Sequence, residues 1–239
     1  MTIDIQDRRL SDLQRFYSLL DKLAKNTKGS QLLSDCSGRM DWPVRGVYFF
    51  QENGEVRTDT GTGARIVRVG THALKNGSQT TLWNRLSQHK GPTKSGGGNH
   101  RGSIFRLIVG TALMERDGHD FPTWGQGSSA PKDIREAEQS LEKLVSKTIG
   151  DMPFLWLPID DTAGPDSFRG YIERNAIALL SNYNKNVIDL PSESWLGKLC
   201  NREKVRNSGL WNQNHVDEDY DPAFLDVLEE LIAAMGKEQ

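Results

Sequence analysis

Two runs rich in β-branched and aromatic residues constrain the fold most: residues 44–51 (VRGVYFFQ) and 64–70 (ARIVRVG). Each has the length and composition of a strand. Between them, Asn53-Gly54 supplies turn chemistry, and Gly61 and Gly63 loosen the connection. The spacing predicts an antiparallel pair, with Tyr48 on one face of the first strand and Val47 and Phe49 on the other. Residues 103–109 (SIFRLIV) read as a third strand. Residues 154–159 (FLWLPI) read as a short apolar strand, at an edge or an end because of Pro158.

The remaining apolar residues repeat at helical spacing. Leu10, Leu13, Tyr17, Leu20 and Ala24 predict an amphipathic N-terminal helix. Further helices are expected over 81–89, with Leu82 and Leu86 inward, over 131–148, over 167–183, and from about Pro222 onward. Residues 25–38, 91–98 and 121–129 read as loops. This order implies an α+β (mixed α/β) fold: a small, mainly antiparallel three-stranded sheet flanked by helices, with N- and C-terminal helical elaborations. A chain of 239 residues accommodates an N-terminal helical extension (1–43), a core (44–186) and a C-terminal helical extension packed on it (187–239).

The net charge of -2 hides an uneven layout. From Thr60 to Met114 there is no carboxylate, while Arg65, Arg68, Lys75, Arg85, Lys90, Lys94, Arg101 and Arg106 fall there with His72, His89 and His100. A segment that excludes acids and collects cations is the electrostatic signature of a polyanion site. No apolar run approaches the roughly 18 residues that span a bilayer. The start Met1-Thr2-Ile3-Asp4 lacks the basic-then-apolar layout of a secretory signal. Cys36 and Cys200 have no metal-ligand or redox spacing. A reduced, cytoplasmic location is the expectation.

Within the acid-free stretch, Arg85 and His89 are one helical turn apart and share a face. Arg offers a fixed fork of donors for phosphate oxygens, and His can donate a hydrogen bond or move a proton near neutral pH. A solvated helix face is the ordinary fate of such a pair. Tyr48, on an apolar strand, is either core or, given cationic neighbours, a catalytic phenol. Glu173 on an apolar helix is either a paired surface acid or a hard oxygen ligand for Mg²⁺. The loop KGPTKSGGGNHR offers Lys90, Lys94, His100 and Arg101 to phosphates, its glycines allowing close backbone approach. Near the end, Ser208 to Asn212 with His215 form an unusual cluster in which Trp211 reads as core. No phosphate-loop, dinucleotide or paired-His zinc spacing occurs.

Taken in order, Gly46-Val47-Tyr48, Arg68-Val69-Gly70, Arg85 with His89, and Glu173 resemble the GIY-YIG nucleases, over roughly residues 44–184. The Arg-x-x-x-His arrangement in LWNRLSQHKG looks most like the restriction-endonuclease branch. The resemblance implies a metal-dependent endonuclease that hydrolyses DNA phosphodiester bonds. Glu173 would hold Mg²⁺, or Mn²⁺. Tyr48 would act as general base or orient the water, with His89 hydrogen-bonding Tyr48 or relaying its proton, and Arg68 and Arg85 would stabilise the phosphoryl oxygens. Asn184 or Asn182 would fill the place of an Asn that follows the Glu. One departure stands out: Arg68 replaces the first Tyr of the second tripeptide, and His72 is a candidate for part of the lost role. The implied partner is double-stranded DNA, with a homodimer or a larger defence complex in view. Restriction or phage defence, repair or single-strand cleavage, and DNA binding without catalysis are the three functions this leaves open.

Overall fold

A computed structural model describes residues 5–92 and 94–236; the reading of residues 1–4 and of Thr93 in the glycine-rich loop lies outside the described residues. The elements are α1 (Ile5–Asn26), β1 (Gln31–Leu32), β2 (Gly46–Val56), β3 (Ala64–Gly70), α2 (Leu82–Lys90), α3 (Ile104–Asp117), α4 (Lys132–Ala137), α5 (Gln139–Gly150), β4 (Pro153–Pro158), α6 (Phe168–Leu180), α7 (Glu203–Ser208) and α8 (Phe224–Met235). The strands form one antiparallel sheet in the order β1-β4-β2-β3. The fold is therefore mixed α/β as expected, with four strands where three were expected. None of the described helices is long and apolar enough to cross a membrane.

The β2–β3 pair forms as read, with Tyr48 opposite Gly70 and Phe49 opposite Val69. After Phe50 the register slips: Phe50 pairs with Arg68 but Gln51 pairs with Ile66. Such a bulge sets two residues of one strand against one of the other. Val67 and Arg68 consequently meet the same helical layer, Val67 in its core and Arg68 against Phe105. The sheet separates two cores. Val47, Phe49, Val69, Leu155 and Leu157 pack with α1, α6 and α8. Tyr48, Phe50, Val67 and Phe154 pack with α2, α3 and α5.

Residues 103–109 are not a strand. Ser103 caps a helix, its hydroxyl accepting from the Arg106 amide, and α3 runs on to a left-handed Gly118. The apolar positions Phe105, Ile108, Val109, Ala112 and Leu113 are all buried. Their spacing becomes helical only once the residues beyond Val109 are counted, because a short apolar run has no decisive period. The expected helix over 131–148 is two helices, parting at Glu138. In β4, Pro153 and Pro158 are the end residues of an interior strand, where a missing N–H costs no ladder bond.

Candidate active site

Tyr48 sits mid-strand on β2 with its hydroxyl 2.8 Å from His89 Nε2. His89 closes α2, and its Nδ1 lies 2.8 Å from the Ser103 hydroxyl at the start of α3. Tyr48 and His89 are both fully buried. The glycines of the two tripeptides are steric requirements. A Cβ on Gly70 would overlap the Tyr48 ring, and one on Gly46 would lie 2.5 Å from the Leu157 carbonyl oxygen. Burial, reinforced by Arg85, Arg68 and Arg106, holds His89 well below its usual 6.5, so its imidazole is neutral.

Arg68 is buried beside Tyr48. Its guanidinium lies 4.5 Å from the centroid of the Phe105 ring and donates to the Trp211 carbonyl. Residues 211–212 reach it because they run alongside β3: the Trp211 amide donates to Val67 O (2.7 Å), and the Asn212 side chain bonds both polar backbone groups of Val69. Burial pulls Arg68 down from its usual value, with Tyr48 acting the other way.

Arg68, Arg85, His72 and Glu173 line one cleft of about 890 Å³. Glu173, half-buried on α6, accepts a hydrogen bond from the Thr71 amide at 3.0 Å. Burial raises its carboxyl above the usual value, while Arg68, the Thr71 amide, His215 and Arg85 pull the other way. It is the sole carboxylate among the lining residues. Half-buried Arg85 spans the cleft edge, donating to Gln88 Oε1 (3.1 Å) and the Gly102 carbonyl (3.2 Å). His215 also lines the cleft, its Nδ1 2.8 Å from Glu218 Oε1. The sequence marked the 208–215 cluster as unusual but gave no sign that it reaches Glu173, because that depends on how residues 209–216 fold back along β3.

Most of the other expected site residues lie outside the cleft or are bound within the fold. His72 lines the cleft, but both its ring nitrogens are covered, with no hydrogen-bond partner of good geometry among the described residues. Burial first, then Arg169, lowers its pKa to about 4. Asn184 is exposed at φ 53° in the turn after α6 and is not part of the cleft. Asn182 is bound to Arg9 and to both backbone groups of Ile188. Three of the four expected phosphate contacts are occupied within the fold. Lys90 donates to the carbonyls of Ser34 and Cys36, Arg101 grips Glu138 through two nitrogens, and His100 is bound to Glu142. Lys94 is exposed.

The GIY-YIG domain family model matches residues 7–238, nearly the whole chain. The chain belongs to the GIY-YIG domain family. Membership implies nuclease activity on DNA. No curated protein and no solved structure matches the chain.

This GIY-YIG site keeps two histidines neutral, and that has a measurable cost in acid. The folded pKa values of His72 and His89 lie below the unfolded 6.5, so unfolding takes up protons as pH falls below about 6.5. Stability is complete above that pH and is lost as pH drops toward 4, by about 1.4 kcal/mol per pH unit for each histidine. Chemical denaturation from about pH 7 to about pH 5 should show this fall, and His72→Gln should flatten it by one proton. An unchanged slope in the variant would rule out His72 as a contributor.

Proposed function

We propose that this protein is a Mg²⁺-dependent endonuclease that hydrolyses phosphodiester bonds of double-stranded DNA in restriction or phage defence. One observation carries the reading: a lone carboxylate, Glu173, shares a cleft with the guanidinium groups of Arg68 and Arg85. Among the described residues no group of three or more His, Cys, Asp or Glu side chains gathers around a common point. A single carboxylate suits Mg²⁺, which keeps several waters and takes phosphate oxygens as ligands. Mn²⁺ accepts the same oxygen donors.

Glu173 would hold the cation, whose charge would stabilise the leaving oxygen. Arg85 donates to the phosphoryl oxygens as negative charge builds in the transition state. Arg68 presents a second guanidinium, held by the Trp211 carbonyl and the Phe105 face. Tyr48 and His89 are fully buried and hydrogen-bonded to each other, and Tyr48 lies beside Arg68 and holds it in place. Lys75, Asn76 and Ser78 on one wall and Asn214 on the other are available to a DNA strand. Gln88 joins this cleft to a second groove of about 780 Å³ lined by Trp83, Lys132 and Arg135, which continues the path of the strand. The restriction assignment draws on the Arg85–His89 arrangement of the resemblance.

Supercoiled plasmid with Mg²⁺ is the test. Wild-type protein should nick or linearise it and lose that activity in chelator. Arg85→Ala should be slower by about 10²–10³-fold, the usual loss for one transition-state donor, while still retaining DNA in a mobility shift. Absence of wild-type cleavage, with DNA binding kept, would make the chain a binding module. Full activity in Arg85→Ala would remove Arg85 from the site. Discrete fragments would support restriction; a smear, or cleavage of single strands alone, would point to repair.

A further inference from the structure

Hydrolysis of a phosphodiester is helped by a group that takes a proton from the attacking water, and the cleft offers few. Tyr48 and His89 are fully buried and do not line it. Of the titratable side chains that do, Arg68, Lys75 and Arg85 are cationic types, and Glu173 is the carboxylate assigned to the metal. His72 has both ring nitrogens covered, and burial, then Arg169, lowers its pKa to about 4. His215 remains.

The His215 ring has one nitrogen tied and one open. Its Nδ1 lies 2.8 Å from Glu218 Oε1, and the other Glu218 oxygen accepts Arg174 Nε at 2.5 Å. Burial works against the Glu218 charge, but His215 and Arg174 outweigh it and hold the carboxyl below its usual value. An ionised carboxylate can only accept. The neutral His215 ring therefore carries its proton on Nδ1, which leaves the Nε2 lone pair free. Nε2 has no hydrogen-bond partner among the described residues, and the side chain is 31 % exposed. His215 pulls on the Glu173 carboxyl by its charge, yet among the described residues the two form no ion pair. The space between them belongs to the cleft.

The ring is held there at a cost. His215 has φ 64°, a left-handed conformation that costs a non-glycine residue about 1–3 kcal/mol. Its neighbours fix it in place. Asn212 is bound to both polar backbone groups of Val69, and the Ser181 hydroxyl donates to the Val216 carbonyl at 2.6 Å. The Glu218 amide donates to the His215 carbonyl at 3.4 Å, and Lys185 donates to the Glu218 carbonyl at 2.7 Å.

We propose that His215 is the general base of the cleft, oriented by Glu218. Its Nε2 takes a proton from the water whose oxygen bonds to phosphorus. The bond from phosphorus to the leaving sugar oxygen breaks, and that oxygen takes a proton from solvent. The imidazolium so formed faces the Glu218 carboxylate and returns its proton to solvent. His215 is then a catalytic residue and Glu218 a positioning residue. The inference rests on the nuclease reading and deepens it, since it assigns proton abstraction to a residue of the C-terminal segment instead of Tyr48.

His215→Gly is the informative variant, because glycine accepts φ 64° without strain and leaves room for a free imidazole. In single-turnover plasmid cleavage with Mg²⁺ it should be slower by about 10²–10⁴-fold. Added imidazole should restore part of that rate, with melting temperature and DNA retention kept. Cleavage at the wild-type rate, or a loss that imidazole does not repair in a folded variant, overturns the proposal. So does a loss confined to DNA retention, which would make His215 a phosphate contact, or weaker Mn²⁺ binding by the DNA-free variant, which would make it a metal ligand. A second readout needs no cleavage. Long-range ¹H–¹⁵N correlation, about two pH units above the ordinary histidine value of about 6.5, should show a pyrrole-like Nδ1 and a pyridine-like Nε2 for His215. Loss of one spin system in His215→Gly assigns it. Glu218→Gln should mix the two tautomers and slow cleavage, and the reverse tautomer in wild type overturns the proposal. Wild-type protein that cuts no DNA removes the nuclease reading and the base with it, whereas cleavage that survives in His215→Gly removes the base alone.

Discussion

Glu173→Gln should abolish plasmid nicking, with a loss of about 10³-fold or more, while leaving folding and DNA retention intact. The size follows from what a cation held by Glu173 would supply: several kcal/mol of charge stabilisation at the leaving oxygen, where each 1.4 kcal/mol is about tenfold in rate. Glutamine is the informative replacement. Its amide oxygen can still accept the Thr71 amide, which Glu173 holds at 3.0 Å. Removing a carboxylate that burial already pushes up from its usual value relieves a desolvation cost, so the variant should melt no lower than wild type. The comparison is therefore clean: cleavage rate, melting temperature and mobility shift are measured on the same two proteins. A Glu173→Gln protein that nicks at the wild-type rate would remove Glu173 as the metal ligand. One that loses DNA binding in parallel would make it part of the docking surface.

The sheet was legible because its signals are local. Alternation in residues 44–51 and 64–70 set which side Tyr48 faces, and the observed register agrees. The bulge at Val67 was not legible, since it adds no residue type that announces it, yet it is what turns Val67 to the face that Arg68, opposite Phe50, already shares with Tyr48. The helix over 104–117 was hidden by its own composition: Ile104, Phe105, Leu107, Ile108 and Val109 suit a strand until the cap at Ser103 and the later apolar positions are weighed together. The acid-free stretch from Thr60 to Met114 was a partial guide. Absence of acids along the chain is not absence in space. Glu55 binds Arg65, Glu138 binds Arg101 and Glu142 binds Arg106, each acid arriving from outside the stretch. Arg85, by contrast, is held by the Gln88 side chain and a carbonyl, which leaves its charge available to an anion. The spacing of Arg85 and His89 on one helix was readable, but their separation into a cleft residue and a buried one was not. Both sit on α2, and only tertiary packing puts His89 against Phe105 and Ser103.

Glu142→Ala should destabilise the protein by about 3–5 kcal/mol, the cost of stranding a buried charge. Arg106 is fully buried and places its Nε and Nη2 on Glu142, with Nη1 donating to the His89 carbonyl at 2.7 Å. The other Glu142 oxygen takes the His100 amide at 2.6 Å and its Nδ1 at 2.9 Å. The Gly125 amide donates to His100 Nε2, so the ring proton resides on Nδ1 and points at the carboxylate. Burial works against the Glu142 charge, but His100 and Arg106 outweigh it and hold the carboxyl below its usual value. Alanine removes the acceptor for all of these donors at once. For a chain of this size the loss corresponds to a melting temperature lower by about 10 °C. A second variant separates lost contacts from stranded charge. Adding Arg106→Met to Glu142→Ala deletes still more hydrogen bonds, yet should melt above Glu142→Ala alone, because the unpaired guanidinium is gone. If the double variant melts lower, the penalty lies in the lost hydrogen bonds themselves. A melting temperature unchanged by Glu142→Ala would return His100 and Arg106 to the surface and to the phosphate-binding role that the charge pattern first suggested.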